Sequence, residues 1–315
     1  MKVTVKLREW DDLWTEPISR LKNITDVSIA YNDNLPDVSD SDILITTNLT
    51  REELNHFPLL RALFLPKSGL DKIPMNSLRN KDIFVHNSHA NAPYIAEHAV
   101  ALALALTHKI VALHEALKIG EWFSGSETTH LWKSIRDMRI GILGYGHIGK
   151  CIHTLIKPFT QEVKCLNRRG EYPEGVDYAE NLSDLVCYSD LIFLCLPLNE
   201  GTKRIFNEGN IGCLTGKMLV NVGRAEVFDE KSLYSSLESG AILGYASDVW
   251  FKEPSKDNVN YILTLPSSYP FHELNNVVLS PHCATHVSHA KSRYIEETVQ
   301  SCLDYIVNGE KTKLI

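Results

Sequence analysis

The sequence has little of what marks a membrane-bound, secreted or nucleic-acid-binding protein. Its longest apolar run covers residues 99–106, far short of the roughly 20 residues that cross a bilayer. The first dozen residues lack the apolar segment of a signal peptide. No block of like charge extends beyond a few residues, and a formal net charge of -7 does not favour nucleic acid or an anionic membrane. We therefore expect neither partner.

The cysteines are too scattered to form a structural framework. They number seven, an odd total, and include no CxxC pair. Several lie inside apolar runs, as Cys195 does in FLCLP, where a reduced cysteine acts as a small hydrophobic residue. We expect a reducing, cytoplasmic location. No metal site is expected either, because His282 and His286, although four residues apart, have no HExxH context and no carboxylate beside them.

Short β-rich runs alternate with helix-length segments through most of the chain. At 315 residues the chain exceeds the usual size of one core, so we expect two domains. Alternation of this kind predicts parallel sheets with crossover helices, that is, an α/β protein with two doubly wound sheets. The runs cover residues 3–6, 27–30, 43–46, 62–65 and 83–86, then 138–143, 162–166, 191–196, 218–222, 242–247 and 277–280.

Two longer segments break this alternation. Residues 92–118 are good helix formers with Pro93 in the first turn, which predicts one long helix between the two parts of the chain. Residues 249–276 carry three prolines and little periodicity. That stretch is too long for a simple connection and is interpreted as a functional loop or a local insertion.

A glycine-rich turn follows the predicted strand 138–143. In a GxGxxG turn between a strand and a helix, the first glycine permits the tight turn, the second lets the backbone approach a pyrophosphate, and the third lets the helix pack close. The amino terminus of that helix offers free N–H groups to the anion. The predicted dinucleotide contacts are Gly144, Tyr145, Gly146, His147, Ile148 and Gly149.

The end of the next strand indicates which dinucleotide is used. An acidic residue is expected about 18 positions after Gly149 when the ribose hydroxyls of NAD are bound. This chain has Asn167, Arg168 and Arg169 instead. A neutral side chain removes the repulsion of a 2′-phosphate, and a guanidinium can bind it. We therefore predict NADP as the preferred cofactor, with NAD as the alternative.

Three polar residues follow later predicted strands and suit hydride-transfer chemistry. Arg224, Glu253 and His282 lie at or beyond the carboxyl ends of their strands, where open α/β sheets bind ligands. Reduction of a 2-oxo acid needs a cation for the carboxylate and ketone, and an acid for the developing alkoxide. Arg224 can supply the first and His282 the second. Glu253, if bonded to the imidazole, would raise the pKa of His282 and orient it.

This ordered set resembles the D-isomer-specific 2-hydroxyacid dehydrogenases over nearly the whole chain. The motifs are N-V-x-R at Arg224, a Glu before Pro at Glu253, a His after Pro at His282, and the glycine motif at 144–149. The resemblance implies a Rossmann nucleotide domain at 99–284, and a flavodoxin-like substrate domain made of 1–98 and 285–315. It also implies a homodimer.

The same resemblance implies further binding residues. The loop around Lys67 to Asp71 is similar to the one whose backbone amides hold the substrate carboxylate in that family. The implied contacts are Leu196, Pro197, Thr202, Val222, Gly223 and Asp248 for the cofactor, and Ser68 and Gly69 for the substrate.

The leading hypothesis is a reductase of glyoxylate, hydroxypyruvate or a larger 2-oxo acid. Phosphoglycerate- or phosphite-type dehydrogenation on the same scaffold is an alternative, for which Arg61 and Lys67 are the nearest candidate cations. A third possibility is a dinucleotide-sensing, corepressor-like binding protein. Retention of the three catalytic candidates does not exclude that role, whereas the absence of a basic patch argues against it.

Overall fold

The computed structural model describes residues 1–31, 38–70, 72–122, 131–168, 170, 172–254 and 263–309. The chain forms two compact units, one of residues 1–91 with 286–315 and one of residues 92–285. The predicted boundary after residue 98 falls inside a helix that begins at Ala92 and packs on the sheet of the second unit.

The first unit is built on a five-stranded parallel sheet in the order β2-β1-β3-β4-β5. This is the flavodoxin-like order, as predicted. The strands are β1 (Lys2–Leu7), β2 (Asp26–Tyr31), β3 (Ile43–Thr46), β4 (Ala62–Leu65) and β5 (Phe84–Asn87). The helices of this unit are α1 (Thr15–Lys22), α2 (Met75–Asn80) and α8 (Ala290–Asn308).

Both faces of this sheet are buried, as continuous apolar strands require. Val3, Val5 and Ile45 pack under α1 and α8 on one face. Leu44 and Leu63 pack on the opposite face. The alternation of side chains along β3 and β4 therefore fills two cores at once.

Lys6 is a charged residue within this core. Its side chain is 1% exposed, and its Nζ lies 2.6 Å from Oε1 of Glu53. Glu53 also accepts a hydrogen bond from the backbone N–H of Thr50, and Thr50 Oγ1 accepts one from the N–H of Glu53. This reciprocal cap fixes the carboxylate that neutralises Lys6.

The second unit is built on a six-stranded parallel sheet in the order β11-β10-β9-β8-β6-β7. The strands are β6 (Ile140–Leu143), β7 (Val163–Leu166), β8 (Leu191–Leu194), β9 (Met218–Asn221), β10 (Gly244–Ser247) and β11 (Val277–Leu279). The helices are α3 (Ala92–Thr107), α4 (Ile110–Lys118), α5 (His147–Ile156), α6 (Leu182–Tyr188) and α7 (Glu230–Glu238). A single parallel bridge between Cys165 and Tyr178 adds a minimal strand beside β7. With that bridge the order is the Rossmann one, as predicted.

The prediction of one long helix over residues 92–118 is wrong, because the segment forms two helices, α3 and α4. Lys109 adopts a left-handed conformation with φ of 55°, and α3 and α4 meet at an angle of 58°. Among the described residues no single helix is long and apolar enough to cross a membrane. Only α3 and α4 taken together, as a bent pair, have the necessary length and apolar composition. Nine residues of α3 are buried, so its apolar character serves the core.

Candidate active site

The candidate residues of the second unit lie at the carboxyl ends of its strands. Gly144 follows β6, Leu196 follows β8, and Arg224 follows β9. Asp248 directly follows β10, and His282 follows β11. Because parallel strands all end at the same edge of a sheet, one edge carries both the glycine motif and the polar residues.

The turn of residues 144–149, here called the glycine turn, has space for an anion. Gly144 has φ of 102°, and a Cβ there would lie 2.8 Å from the carbonyl oxygen of Cys195. A Cβ on Gly149 would lie 2.3 Å from the carbonyl oxygen of Gly144. By contrast, a Cβ on Gly146 would meet nothing within 4 Å, and Gly146 caps the amino terminus of α5. This open cradle at a helix amino terminus fits the pyrophosphate of a dinucleotide.

The side chains of the glycine turn point mostly into the protein. Tyr145 is 5% exposed, its hydroxyl lies 2.7 Å from Nδ1 of His153, and burial raises its pKa to about 12. Ile148 packs against the core formed with α3. His147 is the first residue of α5. Tyr145 and Ile148 therefore have only their backbone to offer to a cofactor.

The residues after β7 form a turn held by Asn167. Its Oδ1 accepts a hydrogen bond from the N–H of Gly170 at 2.7 Å, and its own N–H donates to the hydroxyl of Tyr172 at 2.9 Å. Arg168 is exposed and forms no ion pair with any residue that the structure describes. Arg169 lies outside the described residues. A cation is thus available beside a neutral side chain at this strand end.

The ends of β8 and β9 approach each other too closely for a side chain between them. A Cβ on Gly223 would lie 2.5 Å from the carbonyl oxygen of Leu196. Val222 is buried. Thr202 Oγ1 donates to the carbonyl of Pro197 at 2.6 Å and accepts from the N–H of Asn199 at 2.9 Å. These contacts order the loop that leaves β8.

Asn221 holds the backbone that carries Arg224, a role that the sequence did not reveal. The buried Asn221 amide accepts from the N–H of Gly223 at 3.0 Å and donates to the carbonyl of Arg224 at 3.0 Å and to the hydroxyl of Tyr245 at 3.2 Å. Arg224 has an extended backbone, and its Nη1 donates to the carbonyl of Gly223 at 2.7 Å. Asn221 is the first residue of the N-V-x-R motif, and that motif is the sequence signal for its role.

Glu253 and His282 form a hydrogen-bonded pair. The distance from His282 Nδ1 to Glu253 Oε1 is 2.8 Å. This bond raises the pKa of His282, against burial, which lowers it. Burial raises the pKa of Glu253, but the bond and charge of His282 outweigh it, so the pKa of Glu253 is lowered. The charge of Arg224 further lowers both pKa values.

Asp248 shapes the turn of residues 280–284, here called the histidine turn. The carboxylate is 2% exposed. Its Oδ1 accepts from the N–H of Cys283 at 2.8 Å, and its Oδ2 accepts from the N–H of Ala284 at 3.0 Å. Burial acts to raise the pKa of Asp248, but these and other hydrogen bonds lower it to about 2. These hydrogen bonds join Asp248 to the turn that carries His282, and the cofactor contact of Asp248 stays a prediction.

Among the described residues, only His98, Asp248 and Cys283 bring three potential metal-ligand atoms together, all within 4.8 Å of one another. Both carboxylate oxygens of Asp248 already accept backbone N–H groups. Oδ1, which faces His98, also accepts from the Ser280 hydroxyl, so both of its lone pairs are used. The cluster is therefore better described as a hydrogen-bond network.

A cavity of about 610 Å³ borders the Glu253–His282 pair. Trp250, Leu279 and Thr264 are among the residues that line it. Part of the long segment 249–276 forms one wall, and a hydrogen bond of 2.6 Å from Ser267 Oγ to Glu230 anchors that wall to α7. The described part of the segment therefore shapes the space beside the candidate acid.

The predicted substrate loop lies in the first unit. Ser68 and Gly69 follow β4, and the carbonyl of Ser68 accepts a hydrogen bond from Asn87 at 2.7 Å. The Ser68 hydroxyl lies 3.5 Å from the hydroxyl of Tyr294 on α8. Tyr294 was not predicted, because its neighbour is 226 residues away in the sequence. Asp71 lies outside the described residues.

Comparison with known proteins shows which sequences this chain is similar to. A family profile described as "D-isomer specific 2-hydroxyacid dehydrogenase, NAD binding domain" matches residues 100–284. Glyoxylate/hydroxypyruvate reductase B from Pectobacterium carotovorum is 30% identical over 244 residues, which cover 75% of this chain and 73% of the relative. Formate dehydrogenase from Candida boidinii is 27% identical over 284 residues, or 83% and 74% of the two chains.

A solved structure is similar over almost the full length. An acyclic imino acid reductase in complex with NADPH and D-arginine matches with a TM-score of 0.77 and 26% identity. The match covers 98% of each chain.

Proposed function

The chain belongs to the D-isomer specific 2-hydroxyacid dehydrogenases, which are NAD(P)-dependent oxidoreductases, and from that premise we propose that it reduces a small 2-oxo acid with NADPH, using Arg224, Glu253 and His282. The observation that carries the proposal is the 2.8 Å hydrogen bond between Glu253 and His282. The charge of Arg224 acts on this pair, and the pair lies at the same sheet edge as the glycine turn.

Each of the three residues has a distinct task in this reaction. The Arg224 guanidinium binds the substrate carboxylate and polarises the ketone. His282 uses Nδ1 to bind Glu253, so its Nε2 is the atom that protonates the alkoxide oxygen. Glu253 keeps the imidazole oriented and raises its pKa, which keeps the acid protonated to higher pH than a free imidazole. A bound nicotinamide supplies the hydride to the substrate C2.

NADPH is the proposed cofactor because of the residues after β7. Asn167 offers no negative charge to repel a 2′-phosphate, and Arg168 is exposed beside it. The imino acid reductase, which is 26% identical, was solved with NADPH. The glycine turn suits either dinucleotide, so the preference depends on the residues after β7 alone.

We also propose that two copies of the chain associate through α4. No residue of α4 is buried. Three of its apolar side chains, Ile110, Val111 and Leu117, are each about half exposed. A second copy is the proposed cover because an apolar patch of this kind marks an interface. A molar mass of about twice 35.5 kDa in light scattering is expected, and a single-chain mass would exclude the dimer.

The seven free cysteines support the proposed cytoplasmic location.

The test is an oxidation assay with NADPH and NADH against a panel of 2-oxo acids. The panel runs from glyoxylate and hydroxypyruvate to acids with larger side chains, since the cavity beside His282 is roomy. We expect higher kcat/KM with NADPH, and reverse activity only with D-2-hydroxy acids. His282→Ala serves as the control and should lower kcat by roughly two to four orders of magnitude.

Other outcomes would identify the alternatives. Turnover of 3-phosphoglycerate or phosphite in place of 2-oxo acids would establish the corresponding dehydrogenase. Tight binding of a dinucleotide with no turnover of any substrate would favour a binding protein. Near-normal turnover by the His282→Ala protein would remove His282 from its role as the acid.

A further inference from the structure

His98 on α3 contacts the histidine turn from a distant part of the chain. Its Nε2 lies 2.8 Å from the hydroxyl oxygen of Ser280 and 3.5 Å from Oδ1 of Asp248. Ser280 is 182 residues away in the sequence. Neither His98 nor Ser280 has a part in the mechanism described above, yet both reach the carboxylate that holds this turn.

The hydrogen-bond order within this group is defined by Ser280. Its hydroxyl has one proton, which it donates to Asp248 Oδ1 at 2.5 Å. The hydroxyl oxygen must therefore accept from His98, in the tautomer that carries its proton on Nε2. The Ser280 backbone is held as well, since Trp250 Nε1 donates to its carbonyl at 2.8 Å and its N–H donates to Ser247 at 2.9 Å.

The group matters because His282 adopts an unfavourable backbone conformation. Its φ is 53°, in the left-handed region that residues with a Cβ avoid. The N–H groups of Cys283 and Ala284, which follow it, are both bound by Asp248. The direction in which the imidazole points thus depends on the placement of one buried carboxylate.

We propose that His98 is a positioning residue for the reduction: by donating to Ser280 it orients the hydroxyl that holds Asp248, and so fixes the turn that aims His282 at the substrate. This inference rests on the proposed function, in which His282 is the acid. His98 does not touch the substrate in this scheme and acts only through Ser280 and Asp248.

The charged groups around the turn set the expected pH effect. Glu253, Asp248 and Arg224 are the charged residues that act on His282, and the pKa of His282 is raised first by its bond to Glu253 and also by the charge of Asp248. His98 and Cys283 are the other titratable groups that face Asp248. If the Asp248 carboxylate is displaced, its negative charge raises the pKa of His282 less. The alkaline limb of the kcat profile then moves to lower pH.

The experiment compares four variants of the full-length protein with bound cofactor: His98→Phe, His98→Gln, Ser280→Ala and the His98→Phe/Ser280→Ala double variant. His98→Phe keeps a ring but cannot donate, and we expect kcat to fall about tenfold, as the loss of a hydrogen bond in a charged network implies. His98→Gln can still donate from Nε2 and should recover most of the rate. The double variant should be no slower than the slower single variant, because one chain of contacts is broken twice.

Two further measurements separate positioning from folding. The melting temperature and the Kd for NADPH should change little in all four variants. By contrast, kcat and the alkaline limb of its pH profile should change in every variant except His98→Gln. If His98→Phe does not fold, Ser280→Ala carries the test, since it removes the hydroxyl through which His98 is proposed to act. Equal loss of kcat in His98→Phe and His98→Gln, in step with their melting temperatures, would show a structural role only.

Other results would also overturn the proposal. Turnover within twofold of the wild type in both His98→Phe and Ser280→Ala, with unchanged pH profiles, would show that the turn holds without His98. Loss of wild-type activity on adding EDTA, restored by Zn²⁺, would assign the cluster to a metal. An inactive wild-type protein, or an active His282→Ala variant, would instead refute the proposed function on which the inference depends.

Discussion

The glycine turn (144–149) and the histidine turn (280–284) lie at the same edge of one sheet and hold their shapes in different ways. In the first, Gly144 takes a positive φ at little cost, and Gly149 allows α5 to pack against the carbonyl of Gly144. In the second, His282 takes a positive φ despite its side chain, and the side chain of Asp248 ties down the two residues that follow.

The difference shows two ways in which a fold can specify a loop. The glycine turn takes its conformation from its own glycines and makes backbone contacts with the ends of β7 and β8, so it should be most sensitive to substitution within residues 144–149. The histidine turn is encoded by partners on β10 and α3, so it should respond to substitutions far away in the sequence. The two turns are therefore expected to fail in different ways.

Of the substitutions that distinguish the two turns, Gly149→Ala is expected to have the largest effect on stability and cofactor binding. Its Cβ would lie 2.3 Å from the carbonyl oxygen of Gly144, so the helix must move. We expect a loss of about 1–3 kcal/mol in the free energy of unfolding, and at least a tenfold weaker Kd for NADPH. Chemical denaturation and fluorescence titration measure the two quantities.

The matched control is Gly146→Ala, whose Cβ would meet no atom within 4 Å. We expect its free energy of unfolding to stay within about 0.5 kcal/mol of the wild type, while NADPH binding weakens because the methyl group occupies the proposed path of the pyrophosphate. Equal destabilisation by the two substitutions would show that the close packing at Gly149 is not what defines the glycine turn.

A smaller and more selective effect is expected from Glu253→Gln at the other turn. The pKa of His282 is raised mainly by its bond to Glu253, so removal of that charge should lower it. His282 is the acid only while protonated, and activity is lost as pH rises through its pKa. The alkaline limb of kcat should therefore move to lower pH, with the smallest change at the acidic end of the profile. A pH profile that coincides with that of the wild type would contradict this role of Glu253.

The strands were predictable because they are short, continuous apolar runs. The predicted runs 43–46 and 62–65 match β3 and β4 at every residue, since strands buried on both faces are mostly apolar. The break between α3 and α4 was not predictable, because the left-handed residue is Lys109 and neither glycine nor proline marks it. Helix propensity alone made 92–118 continuous.

The candidate site was predictable only where a motif is local. Glu253 and His282 could be paired from chemistry, and the structure brings them within 2.8 Å. The parts played by Ser280 and His98 could not, because a serine after a strand and a histidine on a helix have no signature until folding brings them together. Tyr145 was expected at the cofactor, but its side chain is turned towards His153.

Lys6 and Glu53 in the first unit have a consequence for how related sequences can diverge. Each neutralises the other in the core of that unit, and a buried charge that loses its partner is costly, commonly by about 3–5 kcal/mol. A pair of apolar residues could replace both at little cost, but neither single step towards it is easy. Among homologues we therefore expect positions 6 and 53 to co-vary, passing from an ionic to an apolar pair with few surviving intermediates.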